Sequence, residues 1–352
     1  MAYLTGRFSI SVVLVLAAAL SAACKKPPAQ ATAAAPLASA PAASSAPTTE
    51  AASPPRRSAA PVHVGVEMRN LLLHVSEGVV LDVRALDGEF VGQAPGEPPV
   101  FDDAASYTLR IRSADLALDA ASLTNMMQQA LAAHPSPLRD VHITFESGLL
   151  KAAGKLKKGV LVPFSMTAAV SVTPDGSMRL HATKLKAVGV PVKGLLDLLG
   201  LDMSSVMKMP AGSGMRADGD DLILDTAALL PPPRTEGRLR RVAVTGNRLT
   251  MSLVGPGSPP ARPDTLPLPS ARNYLYFFGG AVRFGKLSMT DADLQLIDAD
   301  PRDPFDFFPL HYEKQLVAGY SRNTPRKGLQ VFMPDYARAA SNRVMLKPQR
   351  LP

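Results

Sequence analysis

The feature that most constrains the fold is residues 160–173, where apolar and mixed positions alternate. The apolar positions are Val160, Val162, Phe164, Met166, Ala168, Val170 and Val172. A period of two predicts a β-strand with one apolar face. At about 3.3 Å per residue the strand reaches ~45 Å, more than twice the usual length. We therefore expect a long antiparallel strand that curls around an interior.

Turn signals predict that the long strands form hairpins. Pro-Asp-Gly at 174–176 is typical of a turn, and a second alternating segment follows at 177–188. We expect residues 160–188 to form one strongly curved hairpin whose apolar side faces inward. A second hairpin is expected over residues 64–92, with its turn at Ser76-Glu77-Gly78.

Two segments have helical periodicity. Asp119 is a candidate N-cap for a helix with an apolar stripe, and residues 192–209 are apolar over an arc too wide for a helix with one wet side. The second helix should therefore face core, ligand or lipid. The stripe of the first helix is Leu123, Met126, Met127, Ala130 and Leu131. The candidate lining residues of the second are Leu195, Leu196, Leu199, Met203 and Met207.

Two pairs of segments echo each other in the same order. DLALDAASL at 115–123 matches DLILDTAAL at 221–229, and LRDVHIT at 138–144 matches LRRVAVT at 239–245. The similar offsets favour two related units, each a strand, a helical turn and two strands. Common strand-to-helix sequence patterns remain the alternative.

Residues 106–254 resemble the bacterial phospholipid-binding domain of the LmeA type, part of the tubular lipid-binding (TULIP) group. The residues that carry the resemblance are SVTPDGSMRLHATKLKAVGVPVKGLLDLLGLD at 171–202 and GMRADGDDLILDTAALLPPPRTEGRLRRVAVTGNRLTMSL at 214–253. The resemblance implies a curved sheet that wraps helices and encloses a groove for acyl chains. The candidate lining residues on 160–172 and 195–207 would face that groove. A filled core is the alternative, since methionines and leucines suit either.

The sequence as a whole predicts a β-rich α+β protein: a long, highly curved antiparallel sheet wraps a few helices, with a C-terminal β extension. Residues 1–23 are expected to be a signal peptide, 24–60 a disordered Ala/Pro/Ser/Thr tether and 61–254 the lipid-binding-like domain with two pseudo-repeats. A Pro-rich connector at 255–272 precedes the extension at 273–352.

Cys24 is the only cysteine, and it directly follows an apolar run and small residues. The segment resembles a bacterial lipoprotein signal with Leu20-Ser21-Ala22-Ala23-Cys24 as its lipobox, which implies acylation of the Cys24 thiol. Ordinary secretion with cleavage after a small residue is the alternative. Lys25 and Lys26 imply, by the same resemblance, a periplasm-facing lipoprotein of the outer membrane in the cell envelope. A lone cysteine excludes disulfides within the chain.

Charge favours an anionic lipid partner. The net charge is +8, there is no Trp, and no aromatic-and-basic motif for nucleic acid is present. Two basic stretches are either solvated faces or contacts to lipid headgroups. The first is Lys151, Lys155, Lys157 and Lys158, and the second is Arg234, Arg238, Arg240 and Arg241.

Other motifs predict no catalytic or metal site and no cofactor. The P-loop-like run at 280–287 has Leu287 where Ser or Thr should hold magnesium, and it alternates like a strand. Asp298, Asp300 and Asp303 form either a solvated loop or a cation site. The six histidines lack metal spacing, and no G-x-S-x-G elbow exists.

The function predicted from these features is lipid binding, with lipid transfer as one form of it, by a membrane-tethered lipoprotein that holds acyl chains in an apolar groove. A structural lipoprotein with a filled core is the first alternative, and an unrecognised hydrolase is the last.

Overall fold

The computed structural model describes residues 60–133, 138–158, 160–187, 215–218, 221–262, 271–324 and 327–341. The protein is β-rich, with large antiparallel sheets and few helices, as the sequence predicts. The finer expectation, a sheet that wraps helices as in the TULIP group, stays a prediction.

The strands are numbered in chain order. They are β1 (His63–Ser76), β2 (Val79–Gly92), β3 (Tyr107–Asp119), β4 (Leu138–Glu146), β5 (Leu149–Lys158), β6 (Val160–Val172), β7 (Met178–Ala187), β8 (Met215–Asp218), β9 (Asp221–Leu224), β10 (Arg234–Glu236), β11 (Arg238–Thr245), β12 (Arg248–Val254), β13 (Tyr274–Phe278), β14 (Ala281–Phe284), β15 (Leu287–Thr290), β16 (Asp293–Asp298), β17 (Phe305–Phe307), β18 (Tyr320–Asn323) and β19 (Leu329–Met333). The helices are α1 (Ala120–Ala133), α2 (Thr226–Leu229), α3 (Tyr312–Ala318) and α4 (Tyr336–Ala340), with a 3-10 turn at Pro309–His311.

These strands form two main sheets. Sheet 1 has the order β11-β12-β3-β2-β1-β13-β16-β19-β18, with β10 beside β3 and β17 beside β1. Sheet 2 has the order β4-β5-β6-β7-β9-β8. The strands β14 and β15 pair separately as a short hairpin.

Both predicted hairpins are confirmed. β1 and β2 pair antiparallel around a turn at Glu77-Gly78, where Gly78 takes a left-handed φ of 73° that glycine adopts without strain. β6 and β7 pair antiparallel around the predicted Pro-Asp-Gly turn, where Gly176 has a φ of 84°. The period of two and the turn residues were sufficient to place both.

The predicted N-cap of the first helix is also confirmed. The Asp119 carboxylate accepts the backbone N–H of Ser122 at 2.7 Å, which satisfies an amide that the first turn leaves without a partner. Leu123 and Met126 of the apolar stripe are buried. The Thr124 hydroxyl fixes α1 against β4, because it accepts the Ile143 N–H at 2.9 Å.

Residues after 273 continue sheet 1. β13 lies antiparallel to β1, in a register that runs from Gly65 opposite Phe278 to Arg69 opposite Tyr274. β16, β19 and β18 then extend the sheet outward from β13. The C-terminal segment is thereby joined to the rest of the protein through the first strand of the described chain.

The two sheets share one apolar core. Val66 and Leu116 of sheet 1 and Leu150 of sheet 2 are buried in the same cluster. Four phenylalanines meet at one place in it, where ring centroids lie 4.7 to 5.6 Å apart. These rings belong to Phe90, Phe101, Phe277 and Phe284.

The two echoing segments have the same order of elements. In the first, β3 leads into α1 and then the β4–β5 hairpin; in the second, β9 leads into α2 and then, after short β10, the β11–β12 hairpin. The sheets are exchanged between the two units, because β3 and the β11–β12 hairpin lie in sheet 1 while β9 and the β4–β5 hairpin lie in sheet 2. Each unit therefore links the two sheets through its helix.

Candidate functional site

The apolar face of β6 turns toward the core over most of its length. Phe164 and Ala168 are buried, at 8% and 0% exposure. Met166, Val170 and Val172 are partly buried and pack against the core cluster. These side chains therefore contact protein atoms on the inner side of sheet 2.

Val160 departs from the predicted inward orientation. It is 70% exposed, and its neighbour Leu161 is 54% exposed. β7 pairs with β6 only as far as Phe164, so the first residues of β6 extend past the neighbouring described strand. Alternation assigns a residue to a face, but it does not say how far the opposing sheet reaches.

Val162 of β6 is partly buried. The remaining candidate residues lie outside the described part of the chain. They are the anchor Cys24 and the lining residues Leu195, Leu196, Leu199, Met203 and Met207.

A groove of about 440 Å³ lies on the opposite, outer face of sheet 2. Its lining residues come from β4, β5, β6, β7 and the turn between β4 and β5. They are Glu146, Ser147, Leu149, Lys151, Ser165, Thr167, Lys184 and Lys186. This volume falls within the ~300–1,000 Å³ of small-molecule sites. We call this feature the cationic groove.

Strand register brings the groove residues together. Thr167 lies opposite Lys151 on one side and opposite Lys184 on the other, which makes a row across three strands. Ser165 lies opposite Lys186 in the next row on the same face. Each hydroxyl-bearing residue therefore lies opposite a lysine on the same face of the sheet.

The charge of the groove is only partly compensated. Lys151 pairs with Glu146 at 3.2 Å. Within the described residues, no carboxylate lies within ion-pair distance of Lys184 or Lys186, and both side chains are exposed. Three lysines against one glutamate leave a formal charge of +2. Such a concave surface attracts anions.

Sequence reasoning noticed Lys151 but missed Lys184 and Lys186. The signal was present, because Lys184-Leu185-Lys186 lies in a predicted strand and alternation puts both lysines on one face. The position of Lys184 across Thr167 from Lys151, and of Lys186 beside Ser165, depends on the register between strands.

The acidic segment around Asp298 is occupied by protein partners. Asp298 accepts the Asn273 amide at 2.9 Å and the Asp300 N–H at 2.8 Å. Burial raises the pKa of Asp298 to about 7, although these hydrogen bonds act in the opposite direction. Asp300 pairs with Arg302 and Arg338, and the first of these contacts lowers its pKa to about 2. In the described chain, no group of three or more potential metal ligands is close enough to hold an ion.

Three histidines of the described chain form hydrogen bonds with carboxylates of adjacent strands, a feature that sequence reasoning missed. Each pair links adjacent strands, so it acts as a cross-strand contact within a sheet. The pairs are His63 with Glu89 at 2.8 Å, His74 with Asp306 at 2.5 Å, and His181 with Asp221 at 2.6 Å.

The P-loop-like run forms the β14–β15 hairpin, with its turn at Gly285-Lys286. A phosphate-binding P-loop leads from a strand into a helix, so this segment has a different local structure.

Comparisons with protein-family models, curated proteins and solved structures return no match to this chain. The resemblance to the LmeA type therefore stays a prediction from the quoted residues. Among the described helices, none has the length and apolar character that a membrane span requires.

Proposed function

We propose that this protein is a membrane-tethered lipid-binding protein of the bacterial cell envelope, and that it receives an anionic phospholipid headgroup in the cationic groove. The observation that carries the proposal is the uncompensated pair Lys184 and Lys186 beside Ser165 and Thr167. Two ammonium groups and two hydroxyls on one concave surface match the charge and hydrogen-bond acceptors of a phosphodiester.

Electrostatics favours an anionic lipid over a neutral one. A lysine near an anionic lipid surface contributes about 1 kcal/mol, so the two lysines together supply ~2 kcal/mol. That is a factor of roughly 30 in affinity. The groove is exposed to solvent, so we expect this contribution to weaken with salt.

The proposed tether and the acyl groove rest on the sequence. Acylation of Cys24 would hold the chain at the periplasmic face of the outer membrane, and its ~36-residue tether would span roughly 35 Å as a coil. An acyl groove lined by the inner side of sheet 2 and by Leu195 to Met207 would be a separate site, because the sheet lies between that side and a headgroup bound in the cationic groove.

A structural lipoprotein with a filled core is the second candidate. It is favoured by the packing of Phe164 and Ala168, which are buried against protein atoms. Under this alternative the cationic groove would be a solvated face that binds no lipid.

The test uses the full chain with Cys24→Ala, which removes the proposed acylation site. Soluble dihexanoyl phosphatidylglycerol is titrated into this parent protein, and lipids that co-purify from a bacterial host are identified by mass spectrometry. We expect Lys184→Gln/Lys186→Gln to weaken binding roughly 30-fold. Lys286→Gln, at the exposed β14–β15 turn, is the control and should bind as the parent does.

Inorganic phosphate is titrated in parallel to separate a lipid site from a general anion site. Equal affinity for phosphate and for the short-chain lipid would reassign the groove to a free anion. If the protein neither binds the short-chain lipid nor co-purifies with lipid, the proposal is wrong and the structural lipoprotein with a filled core is supported.

A further inference from the structure

Among the described strands, the end of the β5–β6 hairpin extends past the two strands beside it. On one side, β4 pairs with β5 only as far as Leu156. On the other, β7 pairs with β6 only as far as Phe164. Lys157 and Leu161 lie opposite each other and, among the described strands, neither has a partner on a third strand. We call Lys157, Val160 and Leu161 the hairpin tip.

The hairpin tip exposes two large apolar side chains next to each other. Val160 is 70% exposed and Leu161 is 54% exposed. Consecutive strand residues point to opposite faces, so the tip is apolar on both of its sides. A protein surface packed against one face of the hairpin would cover either Val160 or Leu161. An apolar medium that surrounds the hairpin end would cover both.

Positive charge lies directly behind these residues. Lys157 is exposed, and in the described part of the chain no carboxylate lies within ion-pair distance of it. Lys155 follows on the same face, where it pairs with Asp140 at 2.7 Å. An apolar end with a basic residue behind it suits the boundary between acyl chains and anionic headgroups.

We propose that the hairpin tip inserts into the surface of an anionic phospholipid bilayer, with Val160 and Leu161 among the upper acyl chains and Lys157 at the headgroups. This inference rests on the proposed membrane location, but it does not require the cationic groove to be occupied. Lys151 is six residues from Lys157, so the groove lies about 20 Å from the tip along β5. A docked protein would therefore hold its groove above the membrane surface.

A second exposed apolar patch provides a matched control. Val317 on α3 is also 70% exposed, and Leu316 is 42% exposed. The neighbouring charged residues, Glu313 and Lys314, have opposite signs. Exposed apolar area is therefore similar at the two places, and net positive charge distinguishes the tip.

The experiment measures binding to vesicles by co-sedimentation, again with the full chain carrying Cys24→Ala. One set of vesicles contains phosphatidylglycerol mixed with phosphatidylcholine, and the other contains phosphatidylcholine alone. We expect Val160→Ser/Leu161→Ser to lower binding to the anionic vesicles by about tenfold or more. Lys157→Gln should lower binding to the anionic vesicles only, and Val317→Ser should change neither.

Three results would overturn the inference. The first is unchanged vesicle binding by the tip variant, and the second is an equal loss with Val317→Ser. The third is a parent protein that self-associates through the tip, seen by sedimentation velocity as a dimer that the tip variant abolishes without any change in vesicle binding. Thermal melting of each variant shows that it is folded. Short-chain lipid titration of the tip variant should match that of the parent, so failure of docking and failure of the groove are distinguishable.

Discussion

Asp298→Asn should flatten the pH dependence of stability between about pH 4 and pH 7. Asp298 ends β16 at 5% exposure, and its two hydrogen bonds, from Asn273 and from the Asp300 amide, only partly replace water. Burial therefore raises the pKa of Asp298 to about 7. In the unfolded chain an aspartate titrates near ~3.9.

The sign follows from the proton that the folded protein retains. Between the two pKa values the folded state holds a proton that the unfolded chain has released, so the free energy of unfolding falls as pH rises. The stabilisation from this proton is therefore complete below the unfolded value of ~3.9. It is lost as pH rises through the folded value of about 7. Each pH unit between the two values is worth ~1.4 kcal/mol, so the total change is on the order of 4 kcal/mol.

The assay is urea denaturation of wild type and Asp298→Asn at a series of pH values, with the free energies of unfolding subtracted at each pH. Subtraction removes the contribution of the titrating groups that do not interact with Asp298, which leaves Asp298 together with its coupling to Asp300 and Asp335. Asp175→Asn, in the β6–β7 turn, is the control: the hydrogen bond from the Thr173 hydroxyl lowers the pKa of this carboxyl to about 2, so its contribution is already complete above about pH 4. A wild-type minus Asp298→Asn difference that is constant across the range would refute the reasoning.

Three further predictions concern the core, the helix cap and the anchor. Ala168 is fully buried, so Ala168→Phe should lower the free energy of unfolding by ~1–3 kcal/mol; an unchanged melting temperature with less co-purified lipid would instead indicate a lipid cavity. Asp119→Ala should cost ~1 kcal/mol in urea denaturation, whereas Asp119→Asn, which still caps the helix, should cost little. Cys24→Ala should release the protein from bacterial membranes in a high-salt wash, and retention of this variant would contradict the proposed anchor.

Local features of the fold were predictable because they depend on neighbouring residues. The β1–β2 hairpin follows from alternation and the turn at Glu77-Gly78, and the α1 cap follows from Asp119 before an apolar stripe. The strand at β6 was equally clear. Only the burial of Val160 was wrong, because alternation assigns a residue to a face and does not say what covers that face.

The groove and the sheet order could not be predicted in the same way. The row of Lys151, Thr167 and Lys184 depends on two registers, and a shift of one residue in either would move a lysine to the opposite face. The pairing of β13 with β1 has no local signal, since the strands are far apart in sequence.

The position of β1 between β2 and β13 has a consequence for the order of folding. Asn70 and Asn273, which hydrogen-bond beside that strand pair, are 203 positions apart, so β1 is synthesised long before its second partner. Until β13 arrives, one edge of β1 has unpaired backbone groups that can recruit another chain. Pairing over such a separation is slow, and a chain stopped at residue 254 would keep this edge open. A chaperone that protects the nascent chain would therefore have to stay bound until the C-terminal strands have been made.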